Sequence, residues 1–366
     1  MRRALAVIKE WLNPDWASHR TVPPMEAGLR PNHRLDEAEA LLPAESYEPD
    51  DVAVTDDGTV VFSAGNTVCA LRDGEVRTIA VLSGTVTALT ACGGDVLAAV
   101  EGVGLVTVGP AGETAERCTD PAVSSCVTDL TLMGDGSVLV TVGSRHEGPD
   151  GWARALLRGD RSGRIVRVTG ATASVEAEGL GWPAGIEAVG NSEVLVSLSL
   201  DHRIERRRTT ALGTPGAGAP ANLPAYPGRL AATEDGCWVA APYVRNRFTE
   251  LLLDEPELAA EMMRTIAPEE WFVPRLRCTT PYTDTLQLGQ LRVLGVIKPW
   301  APARSYGLAF RLDGTGRVLE SLHSRADGER HGVTGLAVRG PRPVLAVRGC
   351  RNLFQPRETK EEAVTR

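Results

Sequence analysis

The sequence predicts an all-β fold, a single six-bladed β-propeller, on three observations. A short β-branched strand, a tight polar turn and a second apolar strand recur six times along the chain. The turn markers Gly58, Gly94, Gly136, Gly190 and Gly236 are separated by 36, 42, 54 and 46 residues, the repeat length of four-stranded blades. Gly 38 and Pro 24 are high and aromatic residues make up 5%, a composition of many strands joined by turns rather than of packed helices.

The first copy runs Asp51-Val-Ala-Val, then Asp56-Asp57-Gly58, then Thr59-Val-Val-Phe-Ser. The second pairs Val86 to Leu89 with Val96 to Val100 across Gly93-Gly94-Asp95, and the third pairs Val127 to Leu132 with Val138 to Val142 across Gly134-Asp135-Gly136. The fourth and fifth turn at Gly190-Asn191 and Asp235-Gly236, and the sixth joins Val333 to Val338 with Val344 to Val347 at Gly340-Pro341. Asp-Gly and Gly-Asn pairs supply the positive φ angles that tight hairpins need. From Gly236 to Gly340 the step is 104 residues, so the fifth blade is expected to carry an insertion, about 244–300. Within it Leu251, Leu252, Leu258, Met262 and Met263 predict helix over 247–264, with Pro256 as a break.

Residues 1–45 lack the repeat and are expected to form a short helix (Leu5, Ile8 and Leu12 share a face), then a segment that wraps the propeller and lends a strand to the last blade. The propeller is expected over 46–350, followed by a charged tail, 351–366. The apolar run Ala4 to Ile8 is shorter than the core of an export signal, and no stretch has the length of a membrane helix. A net charge of −8 argues against nucleic acid as partner. Seven scattered cysteines without a Cys-x-x-Cys pair indicate neither a zinc site nor a disulfide framework. These features together predict a cytoplasmic protein with no membrane or nucleic-acid partner. There is no phosphate loop, dinucleotide fingerprint or Gly-x-Ser-x-Gly elbow, so no cofactor is expected.

Several segments, in order, resemble the strictosidine-synthase-like propellers, a group related to calcium-dependent gluconolactonases and paraoxonases. They are Thr128-Asp129-Leu130 to Gly136, Gly163-Arg-Ile-Val-Arg-Val, Gly179-Leu-Gly-Trp-Pro-Ala-Gly-Ile, Leu223-Pro-Ala-Tyr-Pro-Gly-Arg-Leu with Gly236-Cys-Trp-Val-Ala, and Tyr306-Gly-Leu to His323. The resemblance covers about 48–348. It implies a central tunnel whose mouth, in the calcium-dependent members, holds an ion through carboxylate and amide oxygens.

Carried over position by position, that ligand set falls on Asp50, Thr128, Ala184 and the pair Gly228-Arg229. One carboxylate remains, and a guanidinium stands where an oxygen donor would be. Calcium takes six to eight oxygens, so the implied site is expected to hold no metal. Arg229 has two readings, a pocket cation paired with Asp50 or a side chain turned to solvent. The glutamate that strictosidine synthase uses for proton transfer falls on Val333, so that reaction is not expected, whereas the histidine two positions earlier is matched by His331.

His331 and Asp50 are therefore the candidate acid–base groups, with Arg229, Tyr226, Thr128, His146 and Trp152 as candidate substrate contacts. Each has a plainer reading: His331 satisfied by a backbone group, Asp50 at a charged blade edge, Tyr226 packed in the core, His146 and Trp152 on an ordinary loop. Adjacent strand residues point to opposite sides, so only one of Asp50 and Asp51 is expected to face the tunnel. Three functions follow: a metal-independent enzyme acting on a small metabolite by acid–base or condensation-type chemistry, a calcium-dependent lactonase or esterase, or a non-catalytic binding propeller.

Overall fold

A computed structural model describes residues 22–25, 28–216, 220–278, 292–294, 296–298 and 304–357. Six antiparallel sheets follow one another in chain order as the blades of a propeller, and two short two-stranded ladders, Ala225–Tyr226 with Tyr243–Val244 and Arg292–Val293 with Val296–Ile297, lie outside them. Blade 1 comprises Pro49–Val54, Val60–Ala64, Thr67–Arg72 and Glu75–Val81; blade 2, Val86–Cys92, Asp95–Val100, Gly104–Val108 and Thr114–Cys118; blade 3, Val127–Leu132, Val138–Val142, Gly163–Thr169 and Thr172–Leu180. Blade 4 has three described strands, Pro183–Val189, Glu193–Leu198 and Arg203–Arg208. Blade 5 is Leu230–Thr233, Gly236–Ala241, Gly307–Asp313 and Val318–Ser324.

Blade 6 combines Val333–Arg339, Arg342–Val347 and Asn352–Gln355 with Glu39–Ala40 from the start of the chain, which pairs with Gln355 and Phe354. The blade thus extends to Gln355, past the boundary expected at 350, because Arg351 takes a left-handed turn (φ 59°) that reverses the chain into one more strand. The expected helix over 2–12 lies outside the described residues.

Apolar clusters fill the junctions between neighbouring blades. In the first two strands of blade 1, Ala53 and Val61 pack toward blade 2, whereas Val52, Val60 and Phe62 pack toward blade 6. This is the period-two alternation of a strand expressed on two buried faces, and it explains why the inner strands read as almost continuous apolar runs.

The insertion lies between the second and third strands of blade 5. It contains α2 (Arg247–Leu253) and α3 (Pro256–Thr265), after α1 (Trp152–Arg158) of blade 3. The Asn246 side chain caps α2 by accepting the Thr249 N–H, and Pro256 opens α3 at the position where its missing N–H is harmless. Leu252, Ala259 and Met262 join Ala155 and Leu156 of α1 in one cluster, so the insertion leans on blade 3 beside the tunnel mouth. No helix among the described residues is long and apolar enough to cross a membrane.

Candidate functional site

The site begins with a backbone irregularity repeated around the ring. In the first hairpin of blades 2, 3, 4 and 6 the register slips by one residue, leaving Thr87, Thr128, Ala184 and Thr334 without a ladder partner. In blade 1 the slip takes in both Asp50 and Asp51. A bulge frees the extra residue from the ladder and turns it, here toward the tunnel axis.

Arg229, from the opening of blade 5, lies across that axis and is 8% exposed. Its Nε donates to the Thr128 carbonyl at 3.0 Å, and its Nη1 to the carbonyls of Asp50 and Thr334 at 3.0 and 2.8 Å. Its Nη2 donates to the Asp50 carboxylate at 2.9 Å and to the Thr87 carbonyl. Asp51 Oδ2 approaches Nε at 3.3 Å. Burial alone would lower the guanidinium pKa, but Asp51, Asp50 and Asp129 more than offset it and hold it above its ordinary value. Both Asp50 and Asp51 therefore reach Arg229, contrary to the expectation of one: the bulge breaks the strand's strict alternation.

Deeper along the axis, carboxylates tie blade 1 to blade 2 and blade 3 to blade 4. Asp51 accepts the N–H of Leu89 in blade 2 at 2.8 Å, and Asp129 accepts that of Ile186 in blade 4 at 2.9 Å. Glu187 of blade 4 stands on the same inner stretch of the tunnel, beside Asp51 and Asp129. Burial raises all three carboxyls, Asp51 to about 6, Glu187 to about 8, and Asp129 well above the usual range with the charge of Asp51 adding to it.

Above Arg229 the tunnel opens into a cavity of about 680 Å³. Asp50 and Arg229 form its floor, with Thr128 and Thr334 beside them, and Trp152, Trp182, Tyr243 and Tyr47 supply aromatic wall. Arg348, at the end of the second strand of blade 6, reaches in from the rim. It bridges Asp50 Oδ1 at 3.4 Å, Glu48 at 3.2 Å and Asp150 at 3.3 Å. Thr87, buried at the same floor, has no partner for its hydroxyl. Burial raises the phenol of Tyr243 well above its usual range, which makes it a hydrogen-bond donor and not a base.

Trp152 lines the cavity as the first residue of α1, stacked on Tyr243 at 4.0 Å, and its indole N–H donates to Ser199 at 3.0 Å. Tyr226 is fully buried and does not border the cavity; it packs edge-on against Trp152 and His202, 3.4 Å from Glu250. His146 is exposed on the loop before α1 and is not part of the cavity wall.

His331 is buried away from the cavity. Its Nε2 donates to the Arg325 carbonyl at 2.9 Å and its Nδ1 accepts from the Ser305 hydroxyl at 2.9 Å, since that hydroxyl already accepts the Cys278 N–H. Burial lowers its pKa and keeps the ring neutral. With both nitrogens engaged, His331 fits a structural role better than the acid–base role expected for it.

Asp129, Arg348 and Trp182 were not singled out from the sequence. Asp129 follows Thr128 as Asp51 follows Asp50, a repeat-to-repeat correspondence. Arg348 is reachable by register, because in an antiparallel hairpin the end of the second strand lies beside the start of the first.

The residues do not fit a calcium ion at the tunnel mouth. Of the implied ligand positions only Asp50 carries a side-chain carboxylate, and one of its oxygens already accepts from Arg229. Among the described residues no three His, Cys, Asp or Glu side chains are grouped as a metal shell.

No family model matches the chain. It is similar to the adipocyte plasma membrane-associated protein of Rattus norvegicus, 24% identical over 318 residues that cover 77% of this chain and 84% of that protein. The Gallus gallus protein of the same name is 27% identical over 282 residues, 68% of this chain and 67% of its own length. Among solved structures, the calcium-binding protein regucalcin of Agrobacterium tumefaciens superposes with a TM-score of 0.55 at 11% identity, covering 87% of this chain and 92% of its own. A gluconolactonase of Xanthomonas campestris gives 0.53 at 12% identity, covering 86% and 87%. The chain is thus a distant homologue of the adipocyte proteins with the propeller fold of the gluconolactonases.

Proposed function

We propose that this propeller is a metal-independent enzyme of strictosidine-synthase-like type, acting on a small metabolite in the mouth cavity. The observation that carries this reading is the placement of Asp50 on the cavity floor, its carboxylate held between the guanidinium groups of Arg229 at 2.9 Å and Arg348 at 3.4 Å. A carboxylate fixed from two sides beneath an aromatic wall is a positioned proton acceptor, because each of its oxygens, unlike the single acceptor nitrogen of His331, keeps a second lone pair beyond its guanidinium partner. Arg348 orients it, and Arg348 with Arg351 at the rim offers positive charge to a carboxylate or developing oxyanion on the substrate. The apolar rings of Trp152, Trp182 and Tyr243 hold the body of the molecule and exclude water. The chemistry is acid–base or condensation-type, with Asp50, one of the two groups expected from the sequence, in the acid–base role and His331 outside it. The proposed compartment is the cytoplasm.

The lactone chemistry named for the gluconolactonase neighbour remains within reach of this cavity only if a cation other than a metal polarises the carbonyl, and Arg348 is the one placed beside Asp50. A second reading, a propeller that binds without turnover, is favoured by the same Arg348, which already matches Glu48, Asp50 and Asp150.

Mass spectrometry of small molecules that co-purify, followed by turnover assays on them and on lactones, esters and amine–aldehyde pairs with a chelator present, tests the proposal. Asp50→Asn should lower kcat/KM by roughly 10²–10⁴-fold while the dissociation constant changes only a few-fold. Full activity in that variant sinks the role of Asp50; tight binding with no turnover of any compound favours the binding reading.

A further inference from the structure

The axial position of this propeller has an occupant of its own, and we infer that the Arg229 guanidinium is a resident ligand, held by a ring of axial oxygens, in place of a bound ion. A guanidinium carries five N–H donors in a rigid plane. All five of those on Arg229 meet an acceptor: the carbonyls of Asp50, Thr87, Thr128 and Thr334 and the carboxylate of Asp50. The acceptors come from blades 1, 2, 3 and 6, and the side chain itself from blade 5, so one residue ties five blades together.

The reason lies in the bulges. Those of blades 1, 2, 3 and 6 each release a main-chain carbonyl from its ladder toward the axis, and that oxygen is present whatever side chain the residue bears. Thr and Ala at positions where the resemblance implies carboxylate or amide ligands remove side-chain oxygens but leave this ring of carbonyl dipoles. Buried and without donors, such oxygens are costly. Something positive and rich in donors has to face them, and Arg229 does. Its side chain borders both the mouth cavity and a smaller inner cavity of about 210 Å³ on the axis, so it also divides the tunnel in two.

The inference is independent of turnover: it concerns what holds the axis, and a protein that transforms nothing would give the same results. Thermal unfolding of the full chain provides the test. For the wild type, neither calcium nor a chelator moves the midpoint. Arg229→Ala lowers it by roughly 10 °C, and methylguanidinium, at concentrations that leave the wild type unmoved, restores most of the loss, whereas calcium does not. One calcium bound per wild-type chain at the axis, an unchanged midpoint in Arg229→Ala, or rescue of that variant by calcium and not by methylguanidinium each overturns the inference. Should Arg229→Ala not accumulate as folded protein, Arg229→Lys decides the matter. An ammonium with three donors cannot serve five acceptors, so its midpoint falls, and a midpoint equal to the wild type overturns the assignment.

Discussion

Asp129 accepts the backbone N–H of Ile186 at 2.9 Å through one carboxylate oxygen and that of its own neighbour Leu130 at 2.9 Å through the other. A single side chain thereby fixes the inner edge of blade 3 to that of blade 4. Asp129→Ala leaves both N–H groups buried without a partner, and the expected loss of stability in urea unfolding is about 1–3 kcal/mol for each group so stranded. Asp129→Asn, which keeps one acceptor, should lose less. Equal stability of the alanine variant and the wild type would refute the cross-blade role.

Glu187 gives a pH dependence whose sign is definite. Burial raises its pKa from 4.5 to about 8, so the folded state favours the protonated form. Its contribution is fully present below the unfolded pKa and is lost as pH rises toward 8. Glu187→Gln, neutral throughout, should flatten the fall in unfolding free energy between pH 5 and pH 8, and be more stable than the wild type at the alkaline end. A variant whose pH profile runs parallel to that of the wild type would refute this.

Gly143 closes the second strand of blade 3 directly behind the mouth wall. A Cβ built there would lie 2.8 Å from the Trp182 ring and 2.9 Å from the Thr128 methyl. Gly143→Ala should cost roughly 1–3 kcal/mol by overpacking and shift the Trp182 ring within the cavity. Altered tryptophan emission and weaker binding of whatever ligand co-purifies are the measurements; an unchanged spectrum with unchanged affinity would show that the wall yields elsewhere.

His331→Ala tests the reassignment of that residue. Its hydrogen bonds to Ser305 and Arg325 predict a loss of stability of about 1–3 kcal/mol with kcat/KM, once a substrate is known, altered only a few-fold at temperatures where the variant is folded. Abolished turnover in a fully stable variant would return His331 to the reacting centre.

The blades were legible because their determinants are local. Turn glycines recur at blade spacing, and the apolar runs of Val60–Ala64 and Val138–Val142 mark strands buried on both faces. The break at Pro256 between α2 and α3 was visible for the same reason. At the site, Asp50, Thr128 and Arg229 were found by position, and they do converge. What sequence could not supply was the register slip, since a bulge is decided by how two strands meet and not by either alone. That is why only one of Asp50 and Asp51 was expected to face the tunnel and why the carbonyls of Thr87 and Thr334, which bear no side-chain signal, went unseen. His331 and Tyr226 have the right chemistry in the right segment, but both lie in packed interior, each held by neighbours that the sequence does not reveal.

The joining of Glu39–Ala40 to Asn352–Gln355 also bears on how the molecule is made. Beside that ladder the Leu42 N–H meets the Asn352 side chain from 310 positions away in the chain, so the ring cannot shut until its last blade has left the ribosome. Closing so large a loop carries a high entropic barrier. Until then the nascent protein is an open arc of blades with an unpaired strand edge at each end, and those edges are its period of greatest exposure to other chains.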